Sequence, residues 1–276
     1  MRLFKKKEQE QPVGAPGKLK SCQCTQAQLQ SEPFRAWAVQ MREDPEHVHR
    51  KLWEYCYITQ ALYERDMLAP GRRGLGFAVG TEPLPALFAS LGCEILATDL
   101  DTEEARAKGW VETAQHAASV DILNERGICD PQQFREKVSF RFVDMRKLPD
   151  DLGTFDFIWS SCSLEHLGTL KAGEKFIYES LKYLKPGGVS VHTTEYNVRS
   201  NFFTVTKGPS VIYRKRDLQR IAKNVRKQGC KIDLDFTEGK LPYDQIVDKP
   251  PYTGEVHLKL LLENYVATSF GLIITR

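Results

Sequence analysis

Leu75-Gly76-Phe77-Ala78-Val79-Gly80-Thr81-Glu82 is the stretch on which the fold turns. Gly74 to Val79 reads as a short apolar strand, Gly80 as a tight turn, and Pro83 to Leu91 as a helix. Proline suits the first turn of a helix, where its missing N–H costs nothing. A second strand, Glu94 to Thr98, ends at Asp99. A strand, a turn and a helix N-terminus bring backbone N–H groups up to a ligand. An acid closing the next strand can accept hydrogen bonds from both hydroxyls of a ribose. The phosphate-binding form of this plan needs three glycines as G-x-G-x-x-G. Ala78-x-Gly80-x-x-Pro83 keeps one of them, and Gly74-x-Gly76-x-x-Val79 lies inside the strand. Glu82 beside the turn would repel a pyrophosphate. These residues suit a ligand with a ribose and an adenine but no phosphate.

Working outward, strands and helices alternate. Residues 103–118 and 131–137 read as helices, Val138 to Val143 and Phe155 to Ser160 as strands. Lys171 to Leu184 reads as a helix stopped by Pro186-Gly187-Gly188, and Val189 to Thr194 as a further strand. A helix over 214–228 precedes two closing strands, Lys231 to Phe236 and Tyr265 to Thr275, with 237–264 as an insertion between them. Such alternation implies right-handed crossovers and a parallel sheet. Toward the N-terminus, Trp53, Tyr57, Ile58, Ala61 and Leu62 make one apolar face of a helical region, 33–70. Residues 1–32 lack apolar periodicity and are expected to be a mobile basic arm.

Two further stretches carry chemistry. Asp144, just past a strand end in Phe142-Val143-Asp144-Met145-Arg146-Lys147-Leu148-Pro149, can accept from an adenine amine while Met145 covers the ring. Ser160 and Ser161, in Trp159-Ser160-Ser161-Cys162-Ser163-Leu164-Glu165-His166-Leu167, end a strand beside the ligand crevice. With the first stretch and Leu184-Lys185-Pro186-Gly187-Gly188, in this order and spacing, the chain resembles the class I S-adenosylmethionine-dependent methyltransferases over about residues 71–200. The resemblance implies an α/β, Rossmann-like fold with a mostly parallel seven-stranded sheet and helices on both faces. It implies S-adenosyl-L-methionine as cofactor, held by Ala78, Gly80, Thr81, Asp99, Leu100, Asp144, Met145, Ser160 and Ser161, in a domain spanning 71–276. The family's glycine turn falls on Ala78, Gly80 and Glu82, and its strand-1 acid on Gly76, so the grip on the methionine end departs from the pattern. Glu-Pro-Leu-Pro at the turn, Thr-Thr-Glu at 193–195 and His-Leu-Lys-Leu at 257–260 resemble a subgroup associated with bacterial polysaccharide and glycolipid gene clusters.

The expected reaction is methyl transfer to an oxygen of a sugar, glycolipid or other small acceptor. His166 is the candidate base for it, with Glu165 beside it and Glu195 after the fifth strand as further candidates. His192, mid-strand, reads as a core histidine, and His257 as a residue able to reach over the site. Trp53, Glu54, Tyr55 and Tyr57 read as packing residues or as a lid over the cofactor. Pro250-Pro251-Tyr252 lacks the Asn or Asp of the amino-methylating signature and lies far from the fourth strand.

Composition excludes several classes. Lys plus Arg exceed Asp plus Glu by only three, so the whole chain makes no charge argument for nucleic acid. Residues 207–231, however, carry nine Lys/Arg against Asp217 alone. That excess suits an anionic acceptor such as a lipid-linked sugar diphosphate, or an acidic membrane surface. The basic segment has only Tyr213 as an aromatic, which weakens the alternative of an RNA or other nucleic-acid methyltransferase. The glycine count argues against a nicotinamide oxidoreductase, while the altered turn leaves a non-catalytic binding module as an alternative. Seven scattered cysteines read as reduced thiols of a cytoplasmic protein, and no ligand cluster in the sequence calls for a metal.

Overall fold

The computed structural model describes residues 18–107, 109 and 116–276. Seven strands make the main sheet: β1 (Arg73–Gly76), β2 (Glu94–Asp99), β3 (Val138–Phe142), β4 (Phe155–Ser160), β5 (Leu184–Asn197), β6 (Lys259–Leu262) and β7 (Tyr265–Thr275). Their spatial order is β6-β7-β5-β4-β1-β2-β3. β1 to β5 run parallel, and β7 returns antiparallel against β5 from Ala267 opposite Asn197 to Thr275 opposite Val189. The chain steps outward from β1 to β2 and β3, then crosses back to β4 on the other side of β1. A crevice therefore opens at the carboxyl ends of β1 and β4.

Seven helices are used below: α1 (Glu32–Gln40), α2 (Arg50–Tyr63), α3 (Leu84–Ser90), α4 (Thr102–Ala107), α5 (Pro131–Lys137), α6 (Leu170–Ser180) and α7 (Lys215–Lys227). Side chains alternate across the strands and so feed two cores. Phe157, Trp159, Val191 and Ile273 pack with α2 and α3 on one face. Leu75, Ile158, Leu272 and Ile274 pack with α6 and α7 on the other. The sheet is thus covered on both faces, as the sequence implies. Two close approaches fix its shape. A Cβ on Gly76 would lie 2.3 Å from the Trp159 ring, and one on Gly271 would lie 2.0 Å from Tyr57. The first explains why no acid can stand at position 76: the Trp159 indole fills that space. The second lets α2 lie directly on β7.

Four expectations are corrected. The helical stretch after Pro33 is broken between α1 and α2, where Arg42 takes a left-handed φ of 58° and Asp44-Pro45 follows. The closing strand expected at Lys231 to Phe236 is not in the main sheet. Its Leu234–Asp235 pairs with Ser21–Cys22 instead, and the seventh strand is β6, inside the stretch read as an insertion. β6 and β7 form a hairpin whose two-residue turn, Glu263-Asn264, has φ of 47° and 68°. Asn at such a turn is the signal that marks a type I′ hairpin, and it was available in the sequence. Residues 18–32 are not a mobile arm. Leu19 N–H donates to Glu64 at 2.6 Å, the Tyr57 hydroxyl donates to Lys20 O at 2.8 Å, and Gln26–Leu29 forms a helical turn capped by Thr25. Of the helix read over 103–118, α4 ends at Ala107 and residues 116–118 are not helical; 108 and 110–115, like residues 1–17 of the arm, lie outside the described residues. No helix among the described residues is long and apolar enough to cross a membrane.

Candidate functional site

A cavity of about 460 Å³ occupies the crevice. Its walls come from the turn after β1, the ends of β2 and β5, the loops after β3 and β4, and the first turns of α2. Of the twelve residues singled out from the sequence, Ala78, Gly80, Thr81, Asp99, Leu100, Asp144, Met145, Ser161, Glu165, His166 and Glu195 line it. Ser160 does not. It is fully buried, with its hydroxyl 2.8 Å from His192 Nδ1.

The turn at the β1 end is tied to Asp99. Gly80 N–H (3.0 Å), Leu100 N–H (2.7 Å) and Ala117 N–H (3.0 Å) all donate to its carboxylate. Burial raises the Asp99 pKa, against the pull of these donors. A carboxylate offers about four lone-pair sites. Three are taken, so this arrangement leaves one for a ribose hydroxyl where the sequence reading gave it two. Ala78 and Gly80 both lie in the left-handed region, at φ 49° and 51°. Ala78 therefore holds a glycine-like conformation without being glycine, at about 1–2 kcal/mol of strain.

Glu82 differs from expectation. It is buried and accepts a 2.6 Å hydrogen bond from Trp159 Nε1. Burial pushes its pKa up to about 8, so near neutrality it is largely uncharged and repels an anion weakly. Asp144 is gripped by Arg146, whose backbone N–H (2.8 Å), Nε (2.9 Å) and Nη2 (2.8 Å) reach its carboxylate; Arg146 also pairs with Glu104 at 2.8 Å. Met145 is buried against the same wall.

The opposite wall holds a charge network that the sequence did not disclose. Glu54 is fully buried on α2 and accepts from Lys51 Nζ (2.7 Å), Ser161 Oγ (3.1 Å), Cys162 Sγ (2.9 Å) and Ser269 Oγ (2.5 Å). Burial raises its pKa, but Lys51 and Arg50 outweigh that and hold it at about 2. Arg50 Nη2 pairs with Glu195 at 2.5 Å, and Arg50 Nη1 reaches Ser269 Oγ at 3.2 Å. The other Glu195 oxygen, Oε2, is buried without a hydrogen-bond partner, as is Ser163 Oγ on the same wall. Burial raises the Glu195 pKa, with Arg50 opposing and Glu165 adding to the rise. A buried acceptor without a partner costs free energy; here both belong to residues that line a cavity large enough for a small molecule. Glu165 is buried and accepts from Thr194 Oγ1 at 3.1 Å.

Cys162 Sγ and the Glu165 and Glu195 carboxylates have ligand atoms within 4.8 Å of one another, a set the sequence reading did not find. The Cys162 thiol donates to Glu54, burial pushes its pKa well up, and Glu195 is paired to Arg50. A neutral thiol and an arginine-paired carboxylate are poor ligands for a cation.

His166 is half-buried. Its Nδ1 lies 2.9 Å from Pro209 O, and a carbonyl only accepts, so Nδ1 carries a proton. His192 hydrogen-bonds Ser160 and, at 2.6 Å, Ser190; burial lowers its pKa to about 3. It is a satisfied, neutral core residue. His257 lies outside the cavity wall. Paired through Val256–His257 to Val48–His49, its ring stacks on His49 at 4.7 Å and its Nδ1 sits 2.7 Å from Asp248. On α2, Trp53 and Tyr57 are packing residues stacked at 4.6 Å, whereas Tyr55 faces the cavity. Arg50 and Lys51 escape the sequence reading, and Glu54 reads there as packing or lid; the network left one trace, for Glu54 sits directly after Trp53, one turn before Tyr57 and Ile58, so its charge lies within the helix's apolar stripe.

Residues 75–192 match the model of a protein family described as a methyltransferase domain. No curated protein matches the chain. Among solved structures it is similar to magnesium protoporphyrin IX methyltransferase of Synechocystis PCC 6803 with bound SAH, at 12% identity and a TM-score of 0.49, over 91% of this chain and 97% of that one. It is also similar to a putative sarcosine dimethylglycine methyltransferase of Galdieria sulphuraria, at 13% identity and a TM-score of 0.49, over 79% and 82%. The match to a methyltransferase domain thus runs from within β1 to within β5.

Proposed function

We propose that this chain, whose residues 75–192 match a methyltransferase domain, moves the methyl group of S-adenosyl-L-methionine to a small acceptor, through an oxygen of a sugar or glycolipid. One observation carries the reading. A single cavity joins the Gly80 turn, Asp99 and Met145 on one side to Glu165, His166 and the partnerless Glu195 oxygen on the other.

In this reading Asp99 Oδ1 accepts from a ribose hydroxyl, Met145 covers the adenine, and the Asp144 segment flanks its amine. Lys51 and Arg50, at the start of α2, offer cations to the cofactor's carboxylate, compensating for the glycines the turn lacks. When bound, the cofactor supplies an already activated methyl on a sulfonium. The chain's own task is to hold the acceptor in line and manage its proton. Glu195 Oε2 and Ser163 Oγ orient the acceptor hydroxyl. The proton then passes to Glu195, whose raised pKa suits it to receive one, or to His166. No step needs a metal, and turnover is expected to survive chelation.

Calorimetric titration with S-adenosylhomocysteine, with NAD as control, tests the cofactor half. Micromolar binding of the first alone is expected; binding of NAD alone, or of neither, would overturn the reading. Loss of turnover in Glu195→Gln with cofactor affinity intact would place the acceptor half where it is argued to be.

A further inference from the structure

The segment between β5 and α7 presents an anomaly outside the cavity. Phe202 and Phe203 are 73% and 74% exposed, more than any other large apolar side chain among the described residues. They are adjacent, and they do not sit on a loose loop. Asn197 Oδ1 accepts from Arg199 N–H (3.1 Å) and Ser200 N–H (2.9 Å), and Ser200 Oγ accepts from the N–H groups of Phe202 (3.2 Å) and Phe203 (2.9 Å). Phe203 O accepts from Asn197 Nδ2 at 3.1 Å, and Phe202 O from Arg214 Nη1 at 2.6 Å and Arg216 Nη2 at 3.2 Å. The backbone is satisfied by side chains at nearly every step, so the two rings are held out in water by a braced turn. Loops usually carry small or polar residues at such tips.

The surroundings have one sign. Between residues 196 and 216 there is no Asp or Glu, and Arg199, Lys207, Lys215 and Arg216 are exposed. We infer that this turn is a membrane-docking finger, in which Phe202 and Phe203 enter the interface of an anionic lipid bilayer and the four cations meet its headgroups. Apolar insertion plus basic charge is the pair of signals that reversible membrane attachment requires. An RNA surface would set its aromatics along a groove for stacking, whereas these project side by side from a tip.

The finger is joined to the cavity wall. Gly208 N–H donates to Gly168 O at 3.1 Å, Leu170 N–H to Thr206 O at 3.3 Å, and Pro209 O meets His166. Docking therefore brings the His166–Leu167 edge of the cavity toward the bilayer. Resting on the methyl-transfer reading, this makes the acceptor amphiphilic, with its methylated head drawn from the membrane surface.

Co-sedimentation with vesicles tests the finger. The full chain should pellet with phosphatidylserine–phosphatidylcholine vesicles and not with phosphatidylcholine alone, and high salt should release it. The pair F202S/F203S should lower that binding by about tenfold or more, and K207E/K215E by a similar factor, while affinity for S-adenosylhomocysteine stays unchanged in both as a check on folding. No pelleting of the wild type with anionic vesicles, or full pelleting of F202S/F203S, would overturn the inference. So would binding of single-stranded polyuridylate that the same substitutions abolish, since it would assign the surface to nucleic acid. A wild type that binds vesicles but not S-adenosylhomocysteine would sink the methyl-transfer reading and leave the finger standing.

Discussion

The two walls of the cavity are built on different principles. The Gly80–Asp99 wall is made of backbone: a turn, two strand ends and N–H groups converging on one carboxylate. The Glu54–Glu195 wall is made of side chains, with two half-buried cations of α2 paired to two buried carboxylates of α2 and β5 and braced by Ser269 of β7. Backbone walls follow from local sequence and tolerate substitution at many positions. Side-chain walls depend on long-range partners, and each member leaves another stranded when removed.

Substitutions sharpen that contrast. The largest effect is expected at Glu54→Ala, which strips the buried partner from half-buried Lys51 and Arg50. Breaking a buried pair by removing one member costs about 3–5 kcal/mol, and because Lys51 keeps solvent the low end, about 3 kcal/mol, is expected, readable as a lower denaturation midpoint in urea. An effect below about 1 kcal/mol would mean that water already solvates this wall. Next comes Glu82, on the border between the walls. Its folded pKa is raised, so the folded state binds more protons than the unfolded one between the ordinary carboxylate value and about 8. Stability should therefore fall as pH rises through that window, by an amount on the order of 2–3 kcal/mol, and Glu82→Gln should flatten the slope. A wild type equally stable at both ends would show that the carboxyl is ionised in the fold. Asp99→Ala should weaken S-adenosylhomocysteine binding by roughly 1.5–3 kcal/mol, and unchanged affinity in the folded variant would remove Asp99 from the ribose. The smallest effect is at Ala78→Gly. Relief of about 1–2 kcal/mol of left-handed strain exceeds the ~0.5–1 kcal/mol of added unfolded-state entropy. A slight gain in melting temperature is expected, and a loss would mean that the methyl group packs favourably.

The same contrast decides what was legible. The order of strands and helices and the residues around the Gly80 turn could be read, because they depend on periodicity and short spacing. Eleven of the twelve singled-out residues meet at one cavity for that reason. Ser160 stays off the cavity wall because it is the last residue of a strand buried on both faces, and alternation turns its hydroxyl to His192. The seventh strand was misplaced because Lys231 to Phe236 has a strand's composition, but only Lys231 bridges to β7, through Thr275. Arg50 and Lys51 do not stand out in the sequence, and Glu54 reads there only as a packing residue or part of a lid. What sets them apart is Ser161, Cys162, Glu195 and Ser269, more than a hundred residues away, and no local pattern carries that.

The bond between Glu54 and Ser269 also has a consequence in time. The two residues are 215 positions apart, so a ribosome adding about 5–20 residues per second delivers Ser269 about 10–40 s after Glu54. Throughout that interval α2 cannot settle on β7, because β7 has not been made. The Gly80–Asp99 wall, complete once β4 and β5 have emerged, can take shape while the chain is still growing, and the Glu54–Glu195 wall must wait for the last strand. A nascent chain halted before residue 265 would carry the Gly80–Asp99 half of the cavity and an open, charged flank where the other half belongs.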